Sequence, residues 1–296
     1  MAAAFQDRVA ELRDDRRHGA SWMARRAVEA LSDIAKQHRG SSDALAAELQ
    51  VAARQLAAAR PGVGAVAGAV GRLVAAVRHE AHLEHGALCQ CLQEEAHALT
   101  EGRIRAPASI AIQVRERLEG AIVMTHSASA TVREALQHNP PQKVLCTVSS
   151  PVEEGRAFAD DLREAGVEVE LVEDAEAPER VAETDLFLIG ADTVFRDGTI
   201  CNKVGTIPIA RAAQSAGVPT VVAAEVVKLA PVPGAQAPDL AEFERELFEL
   251  IPADLLMEFV TEEGVFPPEE IAVLVDRVPF LAEGYDLVAP APSTAG

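Results

Sequence analysis

From about residue 119 onward, short apolar runs alternate with amphipathic stretches, and this alternation narrows the possible folds more than anything else in the chain. AIVMTH, KVLCTV, VEVELV, DLFLIG and PTVVAAE are apolar and rich in β-branched residues, as buried strands are. Between them lie the helix-like stretches TVREALQHN and EEGRAFADDLREAG, a helical turn at residues 178–182, and IPIARAAQSAG. Strands alternating with helices through short loops imply a parallel sheet with right-handed crossovers. The expected fold class is therefore α/β, with strands ending at His126, Val148, Val172, Ile189 and Ala224. In such a sheet the carboxyl ends of the strands share an edge, and ligands bind in the crevice outside it.

The stretch DLFLIGADTVFRDGTICNKVGT, residues 185–206, puts the most chemistry on that edge. Its apolar run stops at Gly190, and Asp192 follows at once. Asp197-Gly198 makes a turn, and Asn202, Lys203, Gly205 and Thr206 lead into a helix. A carboxylate, an amide, an ammonium and a helix N-terminus then converge, and lysines and helix N-termini both attract phosphate. Other strand ends add Thr125, His126, Ser127 and Ser129, then Asp174, then Glu225 with Lys228. For Ser129 and Asp174, capping of the following helix is an equal claim on the side chain. Neither GxGxxG nor GxxxxGK[ST] occurs, so a dinucleotide or P-loop site is not expected, and no cofactor is.

Residues 1–103 read as helix almost throughout, punctuated at Gly19, Gly40-Ser41-Ser42 and Pro61-Gly62. The expected division is a helical domain over 1–103, a linker over 104–118, an α/β domain over 119–290 and a frayed tail over 291–296. Helix-like segments are expected around DLLMEFVTEEG and PEEIAVLVDRV. Arg16, Arg17, His18 and Gly19 precede SWMARRAVEAL, either as a second phosphate-binding helix start or as a solvated basic stretch. His82, His85 and Cys89 share a helix face at metal-ligand spacing. They lack HExxH spacing and a second segment to complete a site, so histidine packing at an interface is expected and a metal is not.

A formal charge of -19 argues against nucleic acid or an anionic membrane as partner, since both need a basic face. No apolar run approaches the ~18–20 residues that span a bilayer, and no signal-peptide core precedes the helices. The four cysteines form neither a disulfide framework nor a zinc spacing, so a cytoplasmic protein with reduced thiols is expected.

MTHSAS, GADTVFRDGTICNKVGT, AAEVVKLAP and FVTEEG, with HGASWMARRA and Ala59-Arg60-Pro61 before them, carry a resemblance. The chain resembles the family that unites the regulatory subunits of translation initiation factor 2B, methylthioribose-1-phosphate isomerase and ribose-1,5-bisphosphate isomerase. The resemblance implies an N-terminal helical domain, a Rossmann-like C-terminal domain, and homodimers or larger assemblies built through the latter. It also implies a catalytic aspartate at Asp192, ligand contacts at Asn202, Lys203 and Lys228, and a phosphate loop at Arg17, His18, Gly19 and Ala20. His126 and Ser129 join the expected pocket.

Three positions depart from the isomerase pattern. His18 stands where an arginine is usual, Ser127 where the isomerases have a cysteine that works with the aspartate, and Val148 where they have a glutamate. A hydroxyl is a far weaker acid than a thiol, so Ser127 in direct replacement loses proton-transfer power. Two functions follow. One is aldose–ketose isomerisation of a phosphorylated pentose, with Asp192 as base and Ser127 in the cysteine's place. The other is a non-catalytic, regulatory-subunit-like protein that senses a sugar phosphate or nucleotide or contacts a translation factor.

Overall fold

The computed structural model describes residues 2–16 and 18–288. Five helices come first: α1 (Ala2–Asp14), α2 (Ala20–Gln37), α3 (Ser42–Ala59), α4 (Gly64–His79) and α5 (His85–Leu118). The first three breaks fall at the Gly and Pro positions named above, and the fourth, residues 80–84, has neither residue. Ser41 caps α3 by accepting the N–H of Ala44. Helix α4 is almost wholly buried, because its Gly, Ala and Val side chains let α2, α3 and α5 pack around it.

Then come β1 (Ile122–Thr125), α6 (Ala130–His138), β2 (Lys143–Thr147), α7 (Glu154–Glu164), β3 (Val169–Val172), α8 (Ala177–Arg180) and β4 (Leu186–Ile189). They are followed by β5 (Thr193–Phe195), β6 (Ile200–Lys203), α9 (Thr206–Ala216), β7 (Thr220–Ala223), β8 (Leu229–Ala230) and β9 (Phe248–Ile251). The last elements are β10 (Glu258–Thr261), β11 (Gly264–Phe266), α10 (Ile271–Arg277) and α11 (Leu281–Val288). The main sheet runs β11-β10-β7-β4-β1-β2-β3, parallel throughout except for β11. Both of its faces are apolar and covered, one by α9 and α10, the other by α6, α7 and the end of α5. A smaller sheet, β8-β5-β6-β9, stands beside the carboxyl ends of the main strands.

Two expectations change. Residues 104–118 are not a linker but the end of α5, a single 34-residue helix. Its buried positions continue from Leu88, Leu92 and Leu99 through Ile110, Val114 and Leu118, so only its packing partners change, from the bundle to the sheet. DLLMEFVTEEG is not helical: Glu258–Thr261 is a strand beside β7, and Gly264, at φ +139°, turns it back into β11. The spacing of Leu255 and Phe259 imitates a helix face, but sheet pairing of the buried run prevails. Asn202 and Lys203 lead into a helix as expected, but they do so from a strand. They end β6, and α9 starts beyond Gly205, whose φ of +96° makes the corner.

Helix α11 returns the chain to the bundle and packs on α4. A Cβ on Gly71 would stand 2.5 Å from the carbonyl oxygen of Gly284, so the two backbones touch there because neither has a side chain.

Candidate functional site

A cavity of about 200 Å³ lies where the start of α2 faces the carboxyl ends of β1 and β4 and the end of β6. Asp192 enters it from the link between β4 and β5, with its N–H bonded to the carbonyl of Cys201 at 2.9 Å. Its carboxylate has no hydrogen-bond partner among the described residues. Burial pushes this carboxyl up to about 6, while the charges of Lys228 and Arg60 pull it down. A group that titrates there is mostly ionised at neutral pH yet far more basic than an ordinary carboxylate, as a general base needs to be.

Lys228 follows β7 in a 3₁₀ turn and is only 5% exposed. Its ammonium faces the charge of Asp192 but makes no hydrogen bond among the described residues. Lys203 is differently placed. Its ammonium lies 3.0 Å from both carboxylate oxygens of Glu154, the first residue of α7. Glu154 Oε1 also accepts the hydroxyl of Ser127 at 2.7 Å. The expected loss of a glutamate at Val148 is thus offset in space, because Val148 is buried and Glu154 reaches the cavity.

Ser127 sits at φ +67°, a conformation costly for a serine, and its N–H is bonded to Ser149 Oγ at 2.8 Å. Ser149 shares a 2.8 Å hydrogen bond with Thr147 Oγ1, which lies 2.7 Å from His126 Nδ1. His126 Nε2 is 2.9 Å from the carbonyl oxygen of Val204, which can only accept. Nε2 therefore carries the proton, and burial lowers the imidazole pKa, which keeps the ring neutral. With both ring nitrogens occupied, His126 braces the wall and offers the cavity no free donor or acceptor. Asp174 accepts the N–H groups of Ser149 and Ser150, each at 2.7 Å, and so fixes the loop after β2 instead of capping a helix. Ser129 caps α6, accepting the N–H of Val132 at 3.3 Å, and also lines the cavity. Asn202 lines it too, and donates to Thr206 Oγ1 at 3.2 Å.

Across the cavity, Gly19 and Ala20 begin α2, whose first N–H groups have no helical acceptor. His18 lies on the rim, paired with Asp15 at 2.7 Å and stacked on Trp22. Arg17 lies outside the described residues. Glu225 stands behind the wall, accepting from Ser21 at 2.8 Å and Thr131 at 3.0 Å.

Sequence reasoning missed Glu154, Arg60 and Glu244. Arg60 is 3% exposed, donates to Glu244 at 3.2 Å and to the carbonyl of Asp15 at 2.8 Å, and lines the cavity beside Asp192. The signal for Arg60 was its place before Pro61-Gly62, a break that aims it at the sheet edge. Glu154 precedes Gly155, where any Cβ would collide with the backbone of Thr147, and that contact draws the start of α7 onto the strand end.

The model of the Initiation factor 2 subunit family matches residues 16–245. The chain is 32% identical over 179 residues to the ribose 1,5-bisphosphate isomerase of Archaeoglobus fulgidus, an alignment spanning 53% of this chain and 57% of that protein. It is 30% identical over 279 residues to a translation initiation factor eIF-2B subunit 2-like protein of Pyrococcus horikoshii, covering 88% of this chain and 96% of that one. The solved structure of the Pyrococcus horikoshii OT3 translation initiation factor eIF-2B has the same fold, with a TM-score of 0.77 at 24% identity over 90% of this chain and 97% of that chain.

Proposed function

The chain belongs to the Initiation factor 2 subunit family, and from that premise we propose that it binds a phosphorylated pentose and isomerises it from aldose to ketose, as ribose 1,5-bisphosphate is converted to ribulose 1,5-bisphosphate. The observation that carries this reading is Asp192, held near a pKa of 6 in a cavity beside the Lys228 ammonium, neither group having a hydrogen-bond partner among the described residues. Isomerisation moves a hydrogen between adjacent carbons and needs such a base within reach. Lys228 and the first turn of α2 suit a phosphate, and a cavity of about 200 Å³ favours a small ligand. Lys203, already paired with Glu154, is the weaker candidate for that contact.

A second reading has one observation in its favour: the group beside the base is the hydroxyl of Ser127, not a thiol. In that reading the cavity senses a sugar phosphate or nucleotide without turning it over, and a translation factor is the partner. A homodimer formed through the sheet half belongs to either reading. The unpaired thiols Cys89, Cys91, Cys146 and Cys201 support a reducing, cytoplasmic setting.

Calorimetry and turnover together separate the readings. Ribose 1,5-bisphosphate should bind, and Lys228→Ala should weaken binding by about 1.5–3 kcal/mol through loss of a charge-assisted contact. Asp192→Asn keeps the shape but cannot accept a proton, so turnover should fall at least ~100-fold while binding persists. Turnover unchanged in Asp192→Asn would remove the base assignment. Binding of sugar phosphate or AMP with no turnover would leave the sensing protein.

A further inference from the structure

Aldose–ketose isomerisation moves two hydrogens. One is bound to carbon and falls to Asp192. The other is the hydroxyl proton on the carbon that becomes the ketone, and it must leave before the new C=O bond can form. A serine hydroxyl at its ordinary pKa moves such a proton poorly unless a base stands next to it.

Ser127 has that base. Its Oγ donates to Glu154 at 2.7 Å, and Glu154 is oriented in turn by the buried Lys203 ammonium, 3.0 Å from both of its oxygens. The peptide of Ser127 is fixed by Ser149, and Ser127, Glu154 and Asp192 line one cavity. Hydroxyl, base and orienting group in a row form the arrangement by which enzymes activate a hydroxyl.

Resting on the isomerase reading, we propose that Ser127 and Glu154 form the relay for the sugar's hydroxyl proton. Ser127 is the catalytic residue that touches the sugar, and Glu154 is the positioning residue behind it that takes up the proton.

In ribose 1,5-bisphosphate the oxygen on C1 carries phosphate, so the sugar opens at its ring C1–O bond. The 2-hydroxyl proton passes to Ser127 Oγ as the serine's own proton passes to Glu154, and the serine stays neutral. Glu154 returns its proton through Ser127 to the ring oxygen, which leaves C1 with the bond pair, and the phosphate-bearing oxygen lends C1 a pair in its place. Asp192 takes the proton on C2. That C–H pair becomes the C1=C2 bond of an enolate, and the lent pair goes back to its oxygen. The C2 oxygen pair then closes the new C=O, and the C=C pair takes the proton from Asp192 onto C1. The relay ends as it began, with no oxidant or reductant consumed.

The test is a cycle of four proteins, wild type, Glu154→Gln, Ser127→Cys and the double variant, assayed for kcat, KM and ligand binding. Glutamine keeps one oxygen to accept from Ser127 but faces Lys203 with one acceptor fewer, so circular dichroism checks the fold. Glu154→Gln should lower kcat ~100-fold with KM little changed, and Glu154→Asp should recover part of it. In the Ser127→Cys background the thiol exchanges protons itself, so the same change should cost under ~10-fold. Wild-type kcat in Glu154→Gln, or equal losses in both backgrounds, overturns the relay and leaves the isomerase reading standing. No turnover by wild type of any phosphopentose it binds overturns both.

Discussion

Asp192 shows at the scale of one residue what a reactive group costs a fold. In the unfolded chain its carboxyl titrates near 3.8, and in the native state near 6. Between these values the native protein holds a proton that the unfolded chain has released. Stability from this group is therefore lost as pH rises through that window, and the loss levels off above it at about 3 kcal/mol. Asp192→Asn carries no such penalty. The variant should be more stable than wild type by on the order of 1–3 kcal/mol at pH 8, with the advantage shrinking towards pH 4. Thermal melts across that range decide the matter, and equal melting points at pH 8 would show that the carboxylate is not held against its preference. A more stable but inactive variant is the usual outcome when a strained functional group is removed.

At the scale of elements, the chain is legible where one physical effect dominates and obscure where two compete. The parallel strands announce themselves because both faces are buried, so β1, β2, β3, β4 and β7 end at or within a residue of the expected positions. The small sheet is hidden because its strands are short and carry their chemistry inward. Asn202 and Lys203 are buried on β6 and read, in one dimension, as a polar approach to α9. In α5 the change of surroundings near residue 104 looked like a boundary, yet a helix can cross between two cores without changing its own backbone. Of the site, Asp192, Ser127 and Lys228 follow directly from strand ends. Glu154 does not, because a Glu-Glu pair at a helix start looks like a favourable interaction with the helix dipole until the neighbouring strand end is in view. Which lysine lacks a hydrogen-bond partner among the described residues is likewise a matter of three dimensions.

At the scale of the whole molecule, the covering of apolar surface decides what the protein binds to itself. PTVVAAE is spent inside the sheet, since β7 lies between β4 and β10. DLLMEFV contributes differently: Leu255, Leu256, Phe259 and Val260 are buried, but Met257 is 58% exposed, and Leu250 and Val265 are also open. Large apolar side chains left on one half of a strongly charged surface fit a contact between copies. Light scattering at micromolar concentration should give a dimer or a multiple of it, and Met257→Asp should shift it towards monomer. A monomeric wild type would remove the interface.

The same charge bears on how a ligand arrives. The cavity offers Lys228 and the start of α2, but they are set in a molecule of net charge -19, so an anionic sugar crosses a field of its own sign before it meets them. At 0.01 M ionic strength that field reaches about 30 Å, and at 0.15 M about 8 Å. Association of a phosphorylated ligand, followed by stopped flow, should therefore quicken as salt is added over this range, the reverse of electrostatic steering. A rate that falls with salt would mean that the cavity's cations outweigh the surface at long range. Salt inside the cell then sets how fast the ligand comes, while the enclosed cations set how long it stays.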